Sequence, residues 1–429
     1  MFLGMRGTGD WVTNQRPENW RQQYFKLYPN GNAPLTAILS MLGSESTDDP
    51  HFHWWTEVFE AIGGVVSGVY TDAACASAYA SGGTAGATLY LKVDSTLYGR
   101  VRAGHQLLLR DNSDLDVDVN SKVLEKFTIS TDYVIAVKLL EADNNSASHD
   151  LSDCDYAMVI GNINSEGGEM PDAVAHDVTE YYNYTQIFRT ALDITRTAQR
   201  TKLRTGDAYQ KAKADCLEDH NVELEMALLF GIRTLGTGSN GKPERTTMGL
   251  LQFLKTYATA NNGNYVTDTD YAGKDWITGG EDWLNEQLEV IFRYGSRDKF
   301  AFCGSGALLG LNRLAKAGAE MSLTPTSKSY GLQVTDWVTP FGTISLKTHP
   351  LFSFNTADRN RVVIFEPKNC KYRFIDDTTF YPEGEKQNTG HKRLDGKAEE
   401  YLTECGLEFH HPQTGAILDG FNQDNTASE

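Results

Sequence analysis

A long helical pattern over residues 207–235 is the sequence feature that most constrains this fold. The run Thr205-Gly206-Asp207 supplies a start signal, because a threonine or aspartate side chain can accept hydrogen bonds from the free amides of a first helical turn. One predicted face recurs every three or four residues, at Ala214, Leu217, Asn221, Leu224 and Leu228. The helix would be about 43 Å long, and Gly236-Thr237-Gly238 would end it. Acidic residues crowd it, so we expect packing partners to hold it as a spine for other parts.

The composition predicts a globular protein of two or three domains. A chain of 429 residues allows domains of about 150 residues each, and 40% hydrophobic with 11% aromatic residues is enough for a packed core. No apolar run approaches the ~18 residues that span a bilayer, and no signal peptide is expected at the N-terminus. The spacing of the cysteines favours free thiols over disulfides or zinc ligands, at Cys75, Cys154, Cys216, Cys303, Cys370 and Cys405.

The net charge of −18 limits the kinds of partner that the protein can bind. A dedicated nucleic-acid binder needs a basic stripe that replaces phosphate counterions, and anionic membranes would repel an acidic chain. Self-repulsion keeps such a protein in solution. We therefore expect neither sequence-specific DNA binding nor membrane binding.

The order of segments predicts an α+β protein with five regions, over residues 1–65, 66–165, 166–238, 239–355 and 356–429. The first region is a polar arm that cannot bury enough surface alone, so we expect it to be ordered against another part or another chain. The second contains short alternating strands, at residues 87–93, 115–119, 127–129, 133–137 and 156–160. Such strands predict a small barrel or a long twisted hairpin sheet.

The sequence after the long helix predicts mixed helices and strands. Expected helices cover residues 281–294 and a stretch from Gly304-Ser305-Gly306 to near Gly318, with a buried strand at residues 299–303 between them. Strands over 334–346 would turn at Pro340-Phe341-Gly342. Further predictions are a hairpin of residues 361–365 with 370–375, a short helix near 399–403 and a strand at 406–410.

A glycine-rich stretch, Gly236-Thr237-Gly238-Ser239-Asn240-Gly241-Lys242, nearly fits a phosphate-binding loop. That loop must follow a strand, open a helix and carry Ser or Thr after its lysine to hold magnesium. Here a predicted helix precedes it and Pro243 replaces the hydroxyl. A flexible turn is the better interpretation.

Other possible sites also have ordinary explanations. A calcium-loop spacing lacks its glycine, because Val119 stands there, and an exposed strand face explains it better; its members are Asp114, Asp116, Asp118, Asn120 and Glu125. The pairs His51/His53 and His410/His411 have no partner at metal-ligand spacing. The run Cys303-Gly304-Ser305-Gly306 lacks the first glycine of a nucleophile elbow. We therefore assign no catalytic, cofactor-binding or metal residue, and expect neither an enzyme nor a cofactor.

Two stretches resemble the major capsid proteins of tailed double-stranded DNA bacteriophages, which have the Hong Kong 97-type fold. One is Asn183-Tyr184-Thr185-Gln186-Ile187-Phe188, followed by Ile194-Thr195-Arg196-Thr197-Ala198 and the long helix. The other is Arg361-Val362-Val363-Ile364-Phe365, with Glu404-Cys405-Gly406-Leu407-Glu408-Phe409-His410-His411-Pro412 and Ala416-Ile417-Leu418-Asp419-Gly420. The order of arm, β-rich excursion, long helix, α/β domain and final strands resembles that family over most of the chain.

The resemblance implies a structural protein that self-assembles as pentamers and hexamers into an icosahedral head around the phage genome. The long helix would be the spine of a peripheral domain, with the strands near 361–375 beside it. Residues 239–355 would form an axial domain at the five- and six-fold centres, and the arm and β region would reach neighbouring subunits. Expected partners are a scaffolding protein, a portal and decoration proteins. Because the sequence starts at Met1, a separate scaffolding protein is expected, and assembly would occur in the host cytoplasm.

Two other classes of function stay open at this point. A soluble α/β nucleotide-binding enzyme could use the Gly236–Lys242 turn, and it would be stabilised by a nucleotide. A carbohydrate- or surface-binding module could be built on residues 66–163, which would then fold and bind alone. The capsid interpretation instead predicts concentration-dependent assembly that needs the N-terminal arm.

Overall fold

The computed structural model describes residues 34–42, 44–57, 63–112, 118–143, 150–167, 173, 178–201, 207–317, 322–329, 332–382 and 396–427. Its helices are α1 (Pro34–Leu42), α2 (Ser95–Arg100), α3 (Arg196–Arg200), α4 (Ala208–Phe230), α5 (Leu250–Tyr257), α6 (Trp276–Ile291), α7 (Ser305–Ala317) and α8 (Pro350–Phe354). Its first strands are β1 (Ser44–Ser46), β2 (His51–Thr56), β3 (Gly63–Tyr70), β4 (Thr88–Val93), β5 (His105–Arg110), β6 (Asp118–Ile129), β7 (Asp132–Leu139), β8 (Tyr156–Asn162), β9 (Thr179–Tyr184) and β10 (Gln186–Thr195). The later strands are β11 (Thr234–Thr237), β12 (Pro243–Thr246), β13 (Asn262–Asn264), β14 (Asp298–Cys303), β15 (Ser322–Ser329), β16 (Leu332–Val338), β17 (Thr343–Thr348), β18 (Val362–Phe365), β19 (Cys370–Tyr381), β20 (Gly396–Phe409) and β21 (Ala416–Asp419). The chain is therefore α+β, as predicted.

The chain divides into two compact units. One is Glu57–Thr179, and the other combines Met1–Thr56 with Glu180–Glu429. In sequence, the first unit interrupts the second between β2 and β9. In the described part of the chain, no helix combines the length and apolar character that a membrane crossing requires.

The Glu57–Thr179 unit contains a closed barrel with the strand order β3-β4-β7-β6-β5-β8. Its strands alternate inward apolar and outward polar side chains, and the apolar ones fill the interior. Because the barrel is closed, no strand edge is left unpaired. The centre is fully buried at Leu91, Leu107, Val123, Ile135 and Val137. The prediction of a small barrel is confirmed, with β4, β6, β7 and β8 at predicted positions; β3 and β5 were not predicted. Most of the predicted strand at 115–119 lies outside the described residues.

A seven-stranded sheet organises the larger unit, with the order β13-β21-β18-β14-β17-β16-β15. Alternate residues of β14 enter two different cores. Phe300 and Phe302 face a core that includes residues of α1, α4 and α5, whereas Ala301 and Cys303 face a core with α6 and α7. The sheet therefore has helices on both faces, and α6 lies on the face opposite to α5.

A second sheet, β1-β19-β20-β10, packs against the long helix. Strands β10 and β20 pair antiparallel from Gln186 opposite Cys405 to Thr195 opposite Gly396. The packing contacts between α4 and this sheet are two small buried clusters, formed by Phe188, Leu224 and Cys405 and by Leu192, Cys216 and Tyr401. Packing on this sheet stabilises the helix despite its acidic composition.

The predicted long helix is present but shorter than expected. It begins after Asp207, whose side chain accepts from the Tyr209 amide, and ends at Phe230 rather than near residue 235. At Gly231, the C-cap residue, the backbone leaves the helical conformation. The chain passes so close to the Ala227 and Thr247 carbonyl oxygens here that a Cβ would lie 2.3 and 2.6 Å from them. Residues 234–237 then pair as strand β11, so Gly236-Thr237-Gly238 does not end the helix.

The buried face of α4 also differs from the predicted one. Leu224 and Leu228 are buried as expected, but Ala214 and Leu217 are exposed. The helix instead buries polar residues, including His220 and Glu225. A pattern based on apolar residues could not include them.

Two predictions near the C-terminus are wrong. The expected hairpin of 361–365 with 370–375 does not form, because β18 pairs with β14 and β21 while β19 pairs with β1 and β20. A 3₁₀ turn at Pro367–Asn369 carries the chain from one sheet to the other. The expected helix at 399–403 is part of β20, because pairing with β10 overrides the local helical preference. The predicted elements α6, α7, β14, β16 and β17 are confirmed, although α6 begins earlier, at Trp276.

Candidate functional site

A buried carboxylate joins the helix α1 to the C-terminal part of α4. Glu225 is fully buried. Its carboxylate accepts hydrogen bonds from the Leu35 amide at 2.7 Å, the Thr36 amide at 2.8 Å and the Thr36 hydroxyl at 2.6 Å. These amides belong to the first turn of α1, where a negative charge is favourable. Glu225 thus caps α1 from a distant part of the chain and fixes it against the long helix.

The fourth hydrogen bond to Glu225 comes from His349, which is also fully buried. Its Nε2 lies 3.0 Å from Glu225 Oε1, and its Nδ1 accepts from the Leu351 amide at 3.2 Å. Because Nδ1 accepts, the ring hydrogen is on Nε2, which donates to the carboxylate. The imidazole also stacks on Phe352, with ring centroids 4.8 Å apart. We call Glu225, His349, Leu35 and Thr36 the arm clamp.

A second buried histidine on α4 connects the helix to the four-stranded sheet. His220 Nδ1 lies 2.8 Å from Thr190 Oγ1 on β10, and its Nε2 lies 2.8 Å from Thr403 Oγ1 on β20. Burial lowers the pKa of His220, and the carboxylate of Glu223 opposes that shift. The neutral ring therefore bridges two strands from the helix.

Asn183 connects three separate segments of the larger unit. The two hydrogens of its Nδ2 group face three acceptors, the Leu407 carbonyl at 2.7 Å and the Thr247 hydroxyl and Met248 carbonyl, both at 3.1 Å. Its Oδ1 accepts from the amides of Tyr184 and Met248. This residue opens the first stretch that resembles capsid proteins, and its role there is to hold β9, the segment before α5 and β20 together.

A buried ion pair fixes the turn between the two sheets. Lys299 Nζ donates to Glu366 Oε1 at 3.0 Å and to the carbonyls of Tyr294 and Thr414 at 3.1 and 3.0 Å. Burial lowers the pKa of Lys299, and Glu366 opposes that shift. Because every donor of the ammonium group is used, the cost of burying this charge is offset. Glu366 immediately precedes the Pro367–Asn369 turn.

Glu408 is a third buried carboxylate, near the end of β20. Burial alone would raise its pKa, but hydrogen bonds from His410 and Arg373 hold the pKa below its ordinary value. Arg373 also bridges to Glu45, with its Nη1 2.8 Å from a carboxylate oxygen. Glu408 belongs to the second stretch that resembles capsid proteins, and through Arg373 it links β20 to β19 and β1.

The glycine-rich stretch is the turn of a hairpin. It joins β11 to β12, with the Gly238 amide donating to the Lys242 carbonyl at 2.9 Å and Gly241 at a positive φ of 72°. A phosphate-binding loop joins a strand to a helix, so the geometry differs from that motif. The preferred interpretation as a turn is confirmed.

The described members of the other sequence candidates have ordinary structural partners, and the rings of His51 and His53 lie 4.1 Å apart. Asp118 pairs with Arg110 at 2.6 Å, and Asp114 and Asp116 lie outside the described residues. His51 packs against Tyr182, with ring centroids 5.0 Å apart. Within the described ranges, no group of three or more His, Cys, Asp or Glu could hold a metal ion.

The thiol of the Cys303-Gly304-Ser305-Gly306 run is not accessible. Cys303 is fully buried, and burial raises its pKa to about 12. Ser305 opens α7, which explains the small residues before the helix. Nothing at this position is arranged as an activated nucleophile.

Comparison with known proteins identifies a viral structural family. The family model described as "SU10 major capsid protein" matches residues 6–422. The chain belongs to the SU10 major capsid protein family. Its role is structural, as a component of a phage capsid that is built from many copies. A curated relative, the major capsid protein of Pseudomonas phage PaMx41, is 24% identical over 409 residues, which cover 92% of this chain and 90% of the relative.

Solved structures also align with this family member at low identity. One of Mycobacterium phage Cain covers 97% of this chain and 98% of that chain, with a TM-score of 0.45 and 8% identity. The capsid of Myoviridae phage XM1 covers 59% and 80%, with a TM-score of 0.36 and 14% identity. An encapsulin complex from Synechococcus elongatus covers 59% and 78%, with a TM-score of 0.38 and 14% identity.

For a member of the capsid family, exposed surfaces are candidates for contact with other copies, and one such surface includes residues 51–55 of the predicted arm. The outward side of the β2–β9 sheet is largely aromatic, with His51, His53, Trp55, Tyr182 and Tyr184. Trp55 is 62% exposed. The alternation in His51-Phe52-His53-Trp54-Trp55 was the available signal, because Phe52 and Trp54 are the buried members.

The β11–β12 hairpin adjoins this aromatic side. Arg233, just before β11, stacks over the Tyr182 ring with its guanidinium carbon 3.7 Å from the centroid. Leu235 on the hairpin is 59% exposed. A pocket of about 350 Å³ lies between the hairpin and the start of β10, with Lys242 and Arg245 among its lining residues.

Proposed function

We propose that this chain forms pentamers and hexamers that close into an icosahedral head with a Hong Kong 97-type subunit. The observation that carries the proposal is the match to a major capsid protein family over residues 6–422. The architecture supports it: a long helix on a four-stranded sheet suits a peripheral domain, and a separate two-faced sheet suits an axial domain. In such a shell, copies meet through head-to-tail contacts that close into rings.

The proposed regions are the arm (1–65), the β-rich region (66–165), the peripheral segment with the long helix (166–238), the axial domain (239–355) and the final strands (356–429). The seven-stranded sheet supports one adjustment. It contains β18 and β21, which come from the last region. The proposed axial domain is therefore completed by two strands from the end of the chain.

The proposal includes the partners of a phage head. A separate scaffolding protein, a portal and decoration proteins would act with the capsid protein, and assembly would take place in the host cytoplasm. The shell would enclose double-stranded DNA without sequence-specific binding, because a net charge of −18 would not grip phosphates. The role is structural rather than enzymatic.

Negative-stain electron microscopy of the purified chain, with sedimentation over a concentration series, tests the proposal. We expect rings, tubes or closed shells of uniform wall thickness that increase with concentration, alone or with lysate from the phage-infected host. A monodisperse monomer or dimer under every condition would contradict it. Nucleotide-dependent thermal stabilisation that is lost in Lys242→Ala would instead support a nucleotide binder.

A deletion that tests the role of the arm must leave the buried core intact. Leu35, Ile38 and Trp54 are buried in the main core, so deletion through residue 60 would unfold the chain. Deletion of residues 1–33 keeps α1 and the arm clamp. We expect that variant to melt cooperatively but to form far fewer shells, and normal shell formation would contradict the proposed role of the arm.

A further inference from the structure

Two surfaces of the larger unit are complementary in charge and chemistry. The first consists of Trp55, Tyr182, Tyr184, Arg233, Lys242 and Arg245, and we call it the aromatic–basic face. Tryptophan, tyrosine and arginine are the residues that dominate binding energy at protein interfaces. The segment 231–246 contains three basic residues and only Glu244 as an acid, in a chain with 57 acidic and 39 basic residues. Two further acids adjoin the face: Glu180 pairs with His53 at 2.6 Å, and Glu404 lines the same pocket as Lys242 and Arg245.

The second surface lies on α6, and we call it the acidic face. The helix contains four acids and no basic residue, at Glu281, Asp282, Glu286 and Glu289. Glu289 pairs with Arg293 just after the helix, and Glu286 hydrogen-bonds to Tyr271. Ile277 on the same helix is 54% exposed. A shallow apolar groove runs between α6 and the end of β16, lined by Leu284 and Val338 among others. Acidic and apolar groups together match what the aromatic–basic face offers.

The two faces lie on opposite sides of the seven-stranded sheet. Trp54 and Tyr181, the buried neighbours of the first face, pack in the core shared with α4 and α5. The buried residues of α6, including Trp283 and Leu288, pack in the core on the other side of the sheet. A head-to-tail ring requires two different surfaces on each subunit, because each copy must offer one face and receive the other.

We propose that the aromatic–basic face of one copy docks on the acidic face of the next copy. The inference rests on the proposed function, since it assigns the contact by which copies would form a ring. Lys242 and Arg245 would meet Asp282 and Glu286, while Trp55 and Leu235 would cover the apolar groove. A second copy fits the aromatic–basic face because α6 carries acidic side chains beside an exposed apolar residue, Ile277, on a chain with a net charge of −18.

Charge reversal tests the contact. Lys242→Glu with Arg245→Glu gives a hairpin variant, and Asp282→Lys with Glu286→Lys gives a helix variant. Each should raise the protein concentration needed for shells by at least about tenfold, because close charge pairs across interfaces couple by more than 1.4 kcal/mol. The chain with all four changes should assemble again. An equimolar mixture of the two variants should also assemble better than either one alone, since each restores one side of the contact.

The matched control is Lys211→Glu with Lys368→Glu, which changes the net charge as the hairpin variant does but at exposed positions outside both faces and outside the β-rich region. It should leave the assembly concentration within about twofold of the wild type. Thermal melts of the unassembled variants confirm folding. If a charge reversal fails to fold, Trp55→Ser provides the same test on an exposed side chain, with an expected rise of at least about tenfold.

The outcomes separate the two proposals. If the wild-type chain forms no shells or rings under any condition, the proposed function fails. If the wild type assembles and the reversed variants assemble equally well, this contact is wrong while the function stands. Loss of assembly in both variants without rescue in the fourfold variant or in the mixture would also overturn the pairing, and would assign these charges to another partner.

Discussion

At the scale of single residues, the arm clamp shows why a buried charge can be stabilising. A carboxylate without partners in the interior would be very unfavourable. Glu225 instead accepts four hydrogen bonds, two of them from amides at the positive end of α1. His349 completes the set and is itself positioned by the Leu351 amide. The energetic result is that α1 cannot leave α4 without exposing an unpaired carboxylate.

Replacing the carboxylate tests this directly. Glu225→Gln should lower the free energy of unfolding by about 3 kcal/mol, because an amide nitrogen would face donors on one side and the charge would be lost. Urea unfolding of the unassembled chain measures the change, and limited proteolysis should show faster cleavage within α1. The control is Glu223→Gln, an exposed position of the same helix, where a loss below about 0.5 kcal/mol is expected. Equal losses at both positions would contradict the clamp.

His220 makes stability depend on pH. Its folded-state pKa is lowered by burial from the ordinary value of 6.5, so below that pH the unfolded chain binds more protons than the folded one. Stability should therefore fall as the pH decreases through 6.5 towards the folded-state pKa. His220→Gln should be less stable near neutral pH, yet should lose less stability on acidification.

The measurement is urea unfolding at about pH 7.5 and about pH 5.5. Thr403→Val serves as the control, because it removes the hydroxyl near Nε2 but leaves the imidazole in place. The Thr403→Val variant should have a lower free energy of unfolding at both pH values and keep the pH dependence of the wild type. An unchanged pH dependence in His220→Gln would show that other groups carry it.

The buried polar residues that connect these segments could not be predicted from the sequence. Glu225, His220 and Asn183 are polar and have ordinary sequence neighbours, and their partners are far away in the chain. The sequence predicted the helix that positions two of them, but apolar periodicity placed its buried face partly on the wrong residues. Only the tertiary contacts show which polar side chains of a helix face the interior.

At the scale of elements, the periodicity of apolar residues predicted the helices and strands that are stabilised mainly by local interactions. Helices α6 and α7 and the barrel strands β4, β6, β7 and β8 have clear periodicity, and they were predicted, whereas β3 and β5 were not. Strand β20 has helix-favouring residues in its first half and was mistaken for a helix near 399–403. Its pairing with β10 spans ten residues on each strand, which outweighs a propensity difference of about 1 kcal/mol. The wrong hairpin has the same origin, since both strands found partners distant in sequence.

The end of α4 illustrates a constraint that a helical pattern does not reveal. Gly231→Ala should destabilise the larger unit by about 1–3 kcal/mol, because its Cβ would meet two carbonyl oxygens at less than 3 Å. Urea unfolding gives the value. Gly99→Ala in α2, where a Cβ meets nothing within 4 Å, should be neutral or slightly stabilising. A neutral Gly231→Ala would mean that the neighbouring backbone can relax.

At the scale of the whole molecule, the division into two units separates what could be predicted from what could not. The barrel is built from strands of one continuous segment, Glu57–Thr179, and alternation predicted either a small barrel or a twisted hairpin sheet; the pairing of β3 with β8 that closes it required the structure. The larger unit draws its sheets from both ends of the chain, with β1 beside β19 and β21 beside β13. Its class followed from resemblance to a family, whereas its strand order required the structure.

The barrel should fold without the rest of the chain. The Glu57–Thr179 unit has its own buried core, and closure pairs both β3 and β5 with β8, so no strand edge depends on another unit. A fragment of residues 57–179 should therefore melt cooperatively and show dispersed amide resonances.

A fragment of residues 57–150 lacks β8 and leaves β3 and β5 with open edges, so it should be unfolded or aggregate. If the complete fragment were unfolded too, the barrel would owe its stability to the larger unit, and the chain should then unfold in one transition. With an autonomous barrel, two transitions are expected in calorimetry of the unassembled chain, and a substitution such as Glu225→Gln should move only the one that belongs to the larger unit.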